Sequence, residues 1–127
     1  MANFTITIES EFYDLWRYNI IVMASVMQGG EQCEVLKHRS EIAPVGAELQ
    51  MRPIGYKEDR TIELRSGEAD ALTLYIYIIP HTLPQTNLLS ESKPFEFCVQ
   101  INQGNRSVYK HRYLVSQWTG RNIRITL

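Results

Sequence analysis

FEFCVQIN, residues 95–102, sets Phe95, Phe97, Val99 and Ile101 against Glu96, Cys98, Gln100 and Asn102. In an extended chain successive side chains point to opposite faces, so this stretch predicts a strand with one apolar and one polar face. The same period recurs on both sides of it. Phe4, Ile6 and Ile8 oppose Thr5, Thr7 and Glu9, and Ala47, Leu49 and Met51 oppose Glu48, Gln50 and Arg52. Ile62 and Leu64 oppose Thr61, Glu63 and Arg65, and Ile123, Ile125 and Leu127 oppose Asn122, Arg124 and Thr126.

Two stretches depart from this scheme. Residues 18–27 (YNIIVMASVM) and 72–79 (LTLYIYII) are apolar or aromatic on both faces. That predicts strands in the middle of a sheet, or strands covered on their second face. Pro80 ends the second of them, because proline has no amide hydrogen to give to a ladder. Turn signals separate the strands: Gln28-Gly29-Gly30, Pro44-Val45-Gly46, Pro53-Ile54-Gly55, Ser66-Gly67 and Gly104-Asn105. The longest connection, Pro80 to Pro94, holds three of the five prolines. One short helical turn is expected near residues 10–17, with Ser10 as its cap and Phe12, Leu15 and Trp16 on one face. About eight or nine short strands predict an all-β, two-layer antiparallel β-sandwich of immunoglobulin-like, jelly-roll or C2-like type, forming a single domain over residues 1–127.

Composition narrows the chemistry. A chain of 127 residues that is 44% hydrophobic and 21% charged has the make-up of a folded domain with its own core. The opening residues lack a basic start and a continuous apolar run, so no signal peptide is expected. Residues 18–27 are about half as long as a membrane span, so no transmembrane segment is expected. The expected location is the cytoplasm, or a particle assembled there. Cys33 and Cys98 are expected to be free thiols in that compartment.

His38, His81 and His111 stand alone in sequence, without the closely spaced ligand pairs that mark a metal site, so no metal and no cofactor is expected. Asp14, Asp59 and Asp70 lie in separate segments, too scattered for the oxygen-rich shell of calcium. No Gly-x-Ser-x-Gly elbow and no phosphate-cradling glycine loop is present. The protein is accordingly expected not to be an enzyme, and no catalytic residue is assigned.

Charge is distributed unevenly. Residues 1–97 hold all 14 acids against eight of the 13 Lys and Arg, whereas Arg106, Lys110, Arg112, Arg121 and Arg124 follow without an acid among them. If 106–115 is a strand, Arg106, Val108, Lys110, Arg112 and Leu114 share one face, and Ser107, Tyr109, His111, Tyr113 and Val115 share the other. Single-strand nucleic-acid platforms place cations and stacking rings on one surface, so nucleic acid is not the expected partner. The basic patch is expected to meet acidic strands, with Glu48, Glu63 and Glu96 as candidates.

Protein–protein association is the remaining class, because aromatic residues, Met and Arg are enriched in interface cores. The interface candidates are Phe12, Trp16, Tyr75, Tyr77, Tyr109, Tyr113 and Trp118. Tyr75, Tyr77 and Ile79 form an outward apolar stripe that needs a partner if the chain does not cover it. The expected function is a non-enzymatic interaction or structural subunit of a larger assembly, such as a virion, a secretion apparatus or a surface complex. Its partners would be proteins, a second copy among them. The alternative is a module that binds carbohydrate or an anionic surface, membrane or nucleic acid, through the Trp118/Arg121 turn and the 80–94 loop.

Overall fold

The computed structural model describes residues 2–53, 60–84, 88 and 92–127. Eight strands follow one another: β1 (Ala2–Glu9), β2 (Tyr18–Gln28), β3 (Glu31–Ser40), β4 (Thr61–Ala69), β5 (Ala71–Pro80), β6 (Phe95–Gln103), β7 (Arg106–Val115) and β8 (Arg121–Thr126). They form two four-stranded sheets, a first of order β4-β1-β6-β7 and a second of order β3-β2-β5-β8, and every pairing is antiparallel. The two sheets pack face to face as a sandwich. The stretches that are apolar on both faces, within β2 and β5, are the two central strands of the second sheet.

Alternation explains the core. Ile6 lies opposite Ile101 and Ile8 opposite Val99 in the first sheet, while Val22, Ile76 and Ile123 form one row across the second. All seven are buried. Each such side chain contributes roughly 1.5–3 kcal/mol relative to an exposed position.

Three sequence expectations need correction. The alternating stretch 47–52 forms no strand. Glu48 takes a left-handed backbone (φ 52), its N–H is bonded to His81 O, and the Leu49 N–H donates to Thr82 Oγ1 at 2.9 Å. Alternation makes a strand only where a neighbour takes up its amides, and here the 81–82 turn does so instead. Conversely β3, weakly alternating in sequence, is a full strand because it pairs along almost its whole length with β2. The expected helical turn is present as a 3-10 turn, Leu15–Arg17, but Ser10 does not cap it: its hydroxyl donates to Glu96 O at 2.9 Å.

One end of the sandwich is closed by buried polar groups. The Arg17 guanidinium meets Asp14 at 3.1 Å and donates to Gln117 Oε1 at 2.9 Å, and the Tyr18 hydroxyl donates to Gln117 O at 2.8 Å. His81 is buried there, with Nε2 2.7 Å from Trp16 O and Nδ1 2.8 Å from Thr82 Oγ1. A carbonyl can only accept, so Nε2 carries the proton. Thr82 then donates to Nδ1 while its oxygen accepts from Leu49. Burial holds the His81 pKa below its ordinary value, the bond to Trp16 opposing that shift in part. Gly120 (φ 67) completes this end, since any Cβ there would overlap Ile78 O.

Candidate protein-interaction face

The outer face of the second sheet is built by the two strands that are apolar on both sides. β2 turns Ile21 and Met23 outward and β5 turns Tyr75, Tyr77 and Ile79 outward. Register brings them together: Ile21 lies opposite Tyr77, and Met23 opposite Tyr75. Directly opposed side chains in an antiparallel pair have Cβ atoms about 4.5–5.5 Å apart, so these four form one continuous patch. Met23 is 38% exposed and the other residues of the stripe are half-buried, so all of them keep surface for contact.

Polar and charged groups frame the patch. Lys37 lies opposite Met23 and Arg39 opposite Ile21 on the β3 side, where Arg39 is ion-paired with Glu41. On the β8 side Asn122 lies opposite Tyr77, and Arg124, opposite Tyr75, sets its guanidinium 5.7 Å from that ring's centroid. At one end the stripe runs into a hollow of about 520 Å³ between Asn19, Ile21 and Ile79 and the segment 41–45. Asn19 fixes that wall. Its amide donates to Ala43 O at 2.7 Å, and its carbonyl oxygen accepts from the Ile42 N–H at 2.8 Å and the Ala43 N–H at 3.4 Å.

The other predicted interface residues divide by location. Tyr75 and Tyr77 stand on the patch. Phe12 and Trp16 do not reach it, being buried at the closed end. Phe12 stacks on Phe95 with centroids 4.2 Å apart, and Trp16 donates from Nε1 to Asp14 at 3.2 Å. Tyr109 and Tyr113 lie on the inward side of β7, half-buried, with their hydroxyls bonded to each other. The His111 ring stands edge-on to Tyr113 at 4.5 Å, and the Arg121 guanidinium lies 4.9 Å from the Tyr113 centroid. Burial first, and then the bond to Tyr109, push the Tyr113 pKa up to about 12, against the pull of Arg121. Trp118 is 38% exposed on its turn, while Arg121 is engaged by Tyr113 and by Leu114 O at 2.9 Å.

The basic residues gather on one side of the sandwich, because β7 and β8 are the edges of the two sheets and Arg121 joins them. A bulge breaks the expected single face. The β6–β7 register shifts between Ile101 and Asn102, which leaves Val108 without a partner and packs it against the core. Arg106 is thereby put out of phase with Lys110 and Arg112. Intramolecular neutralisation is also slighter than expected. Glu63 is bonded to Arg65 on its own strand, Glu48 is not in a sheet, and only Glu96 reaches the patch, at 3.9 Å from Arg112. Lys110 and Arg112 also form one wall of a groove of about 590 Å³ on the outer face of the first sheet, with Cys98 and Gln100 within it and Glu9 across it.

Several contributors were not singled out in sequence. Ile21 and Met23 belong to a stretch whose two-sided apolarity was the available signal. Val35, 40% exposed, sits on the unexpected strand β3, and the Ile42–Val45 wall had none beyond a turn. Among the described residues no three His, Cys, Asp or Glu side chains converge as metal ligands, and no helix is long and apolar enough to cross a membrane. Comparison of the chain with protein-family models, with characterised proteins and with solved structures finds no match.

Proposed function

We propose that this β-sandwich is a non-catalytic interaction or structural subunit that joins a larger protein assembly through the outer face of its second sheet. A virion, a secretion apparatus or a surface complex would suit such a part. One observation carries the reading: Ile21, Met23, Tyr75, Tyr77 and Ile79 form an apolar strip rimmed by Lys37, Arg39, Asn122 and Arg124. An apolar centre inside a polar rim is the anatomy of protein interfaces, and Tyr and Met are enriched at their centres. The carbohydrate or anionic-surface alternative has less support, since the Arg121 guanidinium it would use is already held by Tyr113 and Leu114.

The test compares the native protein with a Met23→Glu/Tyr77→Glu variant. Both are run by size-exclusion chromatography with light scattering, and both are cross-linked in their native source. Assemblies or neighbours present for the native chain and lost in an equally folded variant support the reading. A native chain that stays monomeric and captures the same neighbours as the variant removes it.

A further inference from the structure

We propose that the β7 edge of the first sheet is a strand-addition site for an acidic, extended segment of a partner protein. It lies on a different surface from the apolar patch and stands or falls separately from it. The backbone supplies the first argument. β7 ends its sheet, with β6 on one side and no further strand beyond it among the described residues. In an antiparallel strand each residue points its N–H and C=O to one side, and neighbouring residues alternate sides. Leu114 O accepts from Arg121 at 2.9 Å and Ser116 O accepts from the Gly120 N–H at 2.9 Å, both on the side away from β6. Lys110 and Arg112 are in phase with Leu114, so their main-chain groups also face outward. The residues with outward amides are therefore the ones that carry the cations.

Charge supplies the second argument and fixes the partner's sign. β7 and β8 carry five Lys or Arg and no acid. Among the described residues only Arg112 meets a carboxylate, at the outer limit of an ion pair. A strand laid along β7 would bond its backbone to Lys110 and Arg112. Its alternate acidic side chains would lie beside their side chains on the outer face, where opposite-charge pairs stabilise a sheet. Arg121 covers Leu114 O and blocks the far end, so the available edge lies at 109–112.

A nucleic acid fits less well. Stacking needs free ring faces, yet Arg121 lies over the Tyr113 face, His111 meets Tyr113 edge-on, and the Tyr109 and Tyr113 hydroxyls bond each other. What remains open on β7 is an edge of amides and two cationic heads, which suits a polypeptide.

The test uses a soluble peptide of about seven residues alternating glutamate and valine, with a lysine–valine peptide and single-stranded poly(U) as comparators, read by amide hydrogen exchange and by titration. The expected result is binding of the acidic peptide alone, weakened about tenfold or more when salt rises from about 50 to about 200 mM. Exchange at Lys110 and Arg112 should slow by about fivefold or more, with Tyr109, His111 and Tyr113 little changed. Lys110→Glu/Arg112→Glu should abolish binding. Lys110→Gln/Arg112→Gln, which keeps the edge without reversing its charge, should weaken it, both variants melting as the native protein does. Three results would overturn the proposal: no binding of the acidic peptide, binding without slowed exchange at Lys110 and Arg112, or tighter binding of poly(U) at this edge.

Discussion

His81 shows how much one side chain determines at the closed end. It is neutral because it is buried, and its two nitrogens join Trp16 O to Thr82, whose oxygen in turn holds Leu49. In the unfolded chain an ordinary histidine titrates near about 6.5, and in the folded chain His81 titrates lower. Below that value the unfolded state binds more protons, so stability is full above about pH 7 and is lost as the pH falls through 6.5 toward the folded pKa. We expect the melting temperature to drop between about pH 7.5 and 5.5, and to drop less in His81→Gln, whose baseline stability is lower. Equal acid sensitivity in both proteins would assign the effect to other groups. None of this was visible in sequence, where His81 was one of three isolated histidines; burial and tautomer exist only once residues 16 and 49 arrive.

At the scale of elements, alternation was a good guide where a partner strand existed and a poor one where it did not. FEFCVQIN lies between two neighbours and became β6 as read. Residues 47–52 alternate equally well, yet the Glu48 and Leu49 amides are taken by the 81–82 turn and the Ala47 amide by Pro44 O. β3 shows the opposite: it is an edge strand with half-buried and exposed residues, so no strong apolar period marked it. The bulge at Val108 was likewise unreadable, because it depends on the register between β6 and β7. Asn19 is an element-scale device of the same kind, one side chain holding a loop. Asn19→Ala should remove three hydrogen bonds, cost roughly 1–3 kcal/mol in denaturant unfolding, and speed amide exchange at Ile42 and Ala43. Unchanged exchange there would mean the wall of the hollow is held by something else.

For the whole molecule, connectivity sets the kinetics. Among the described strands only β2–β3 and β6–β7 are hairpins, and β1 must find β4 and β6, far along the chain, before the first sheet exists. Chains dominated by such distant pairings fold in milliseconds to seconds. Stopped-flow refolding should therefore show its main phase in that range, and a microsecond phase carrying most of the amplitude would contradict the topology. The candidate face was legible in part. Tyr75, Tyr77 and Ile79 could be placed by parity alone, whereas their union with Ile21 and Met23 needed the β2–β5 register, which parity does not supply. The basic side was legible as a charge imbalance, but its meeting with Tyr113 depends on β8 lying across from β7 in the other sheet.

Cys98 and Cys33, free thiols in different sheets, have a practical consequence. Cys98 is half-buried on β6, directly opposite Arg112, and Cys33 is exposed on β3, in the sheet that carries the apolar strip. A fluorophore attached to one or the other turns the native chain into two separate sensors. The first responds to an occupant of the β7 edge and the second to contact at the opposite layer. Cys33, being exposed, should react before the half-buried Cys98, so the two surfaces can be labelled in turn without introducing a new residue.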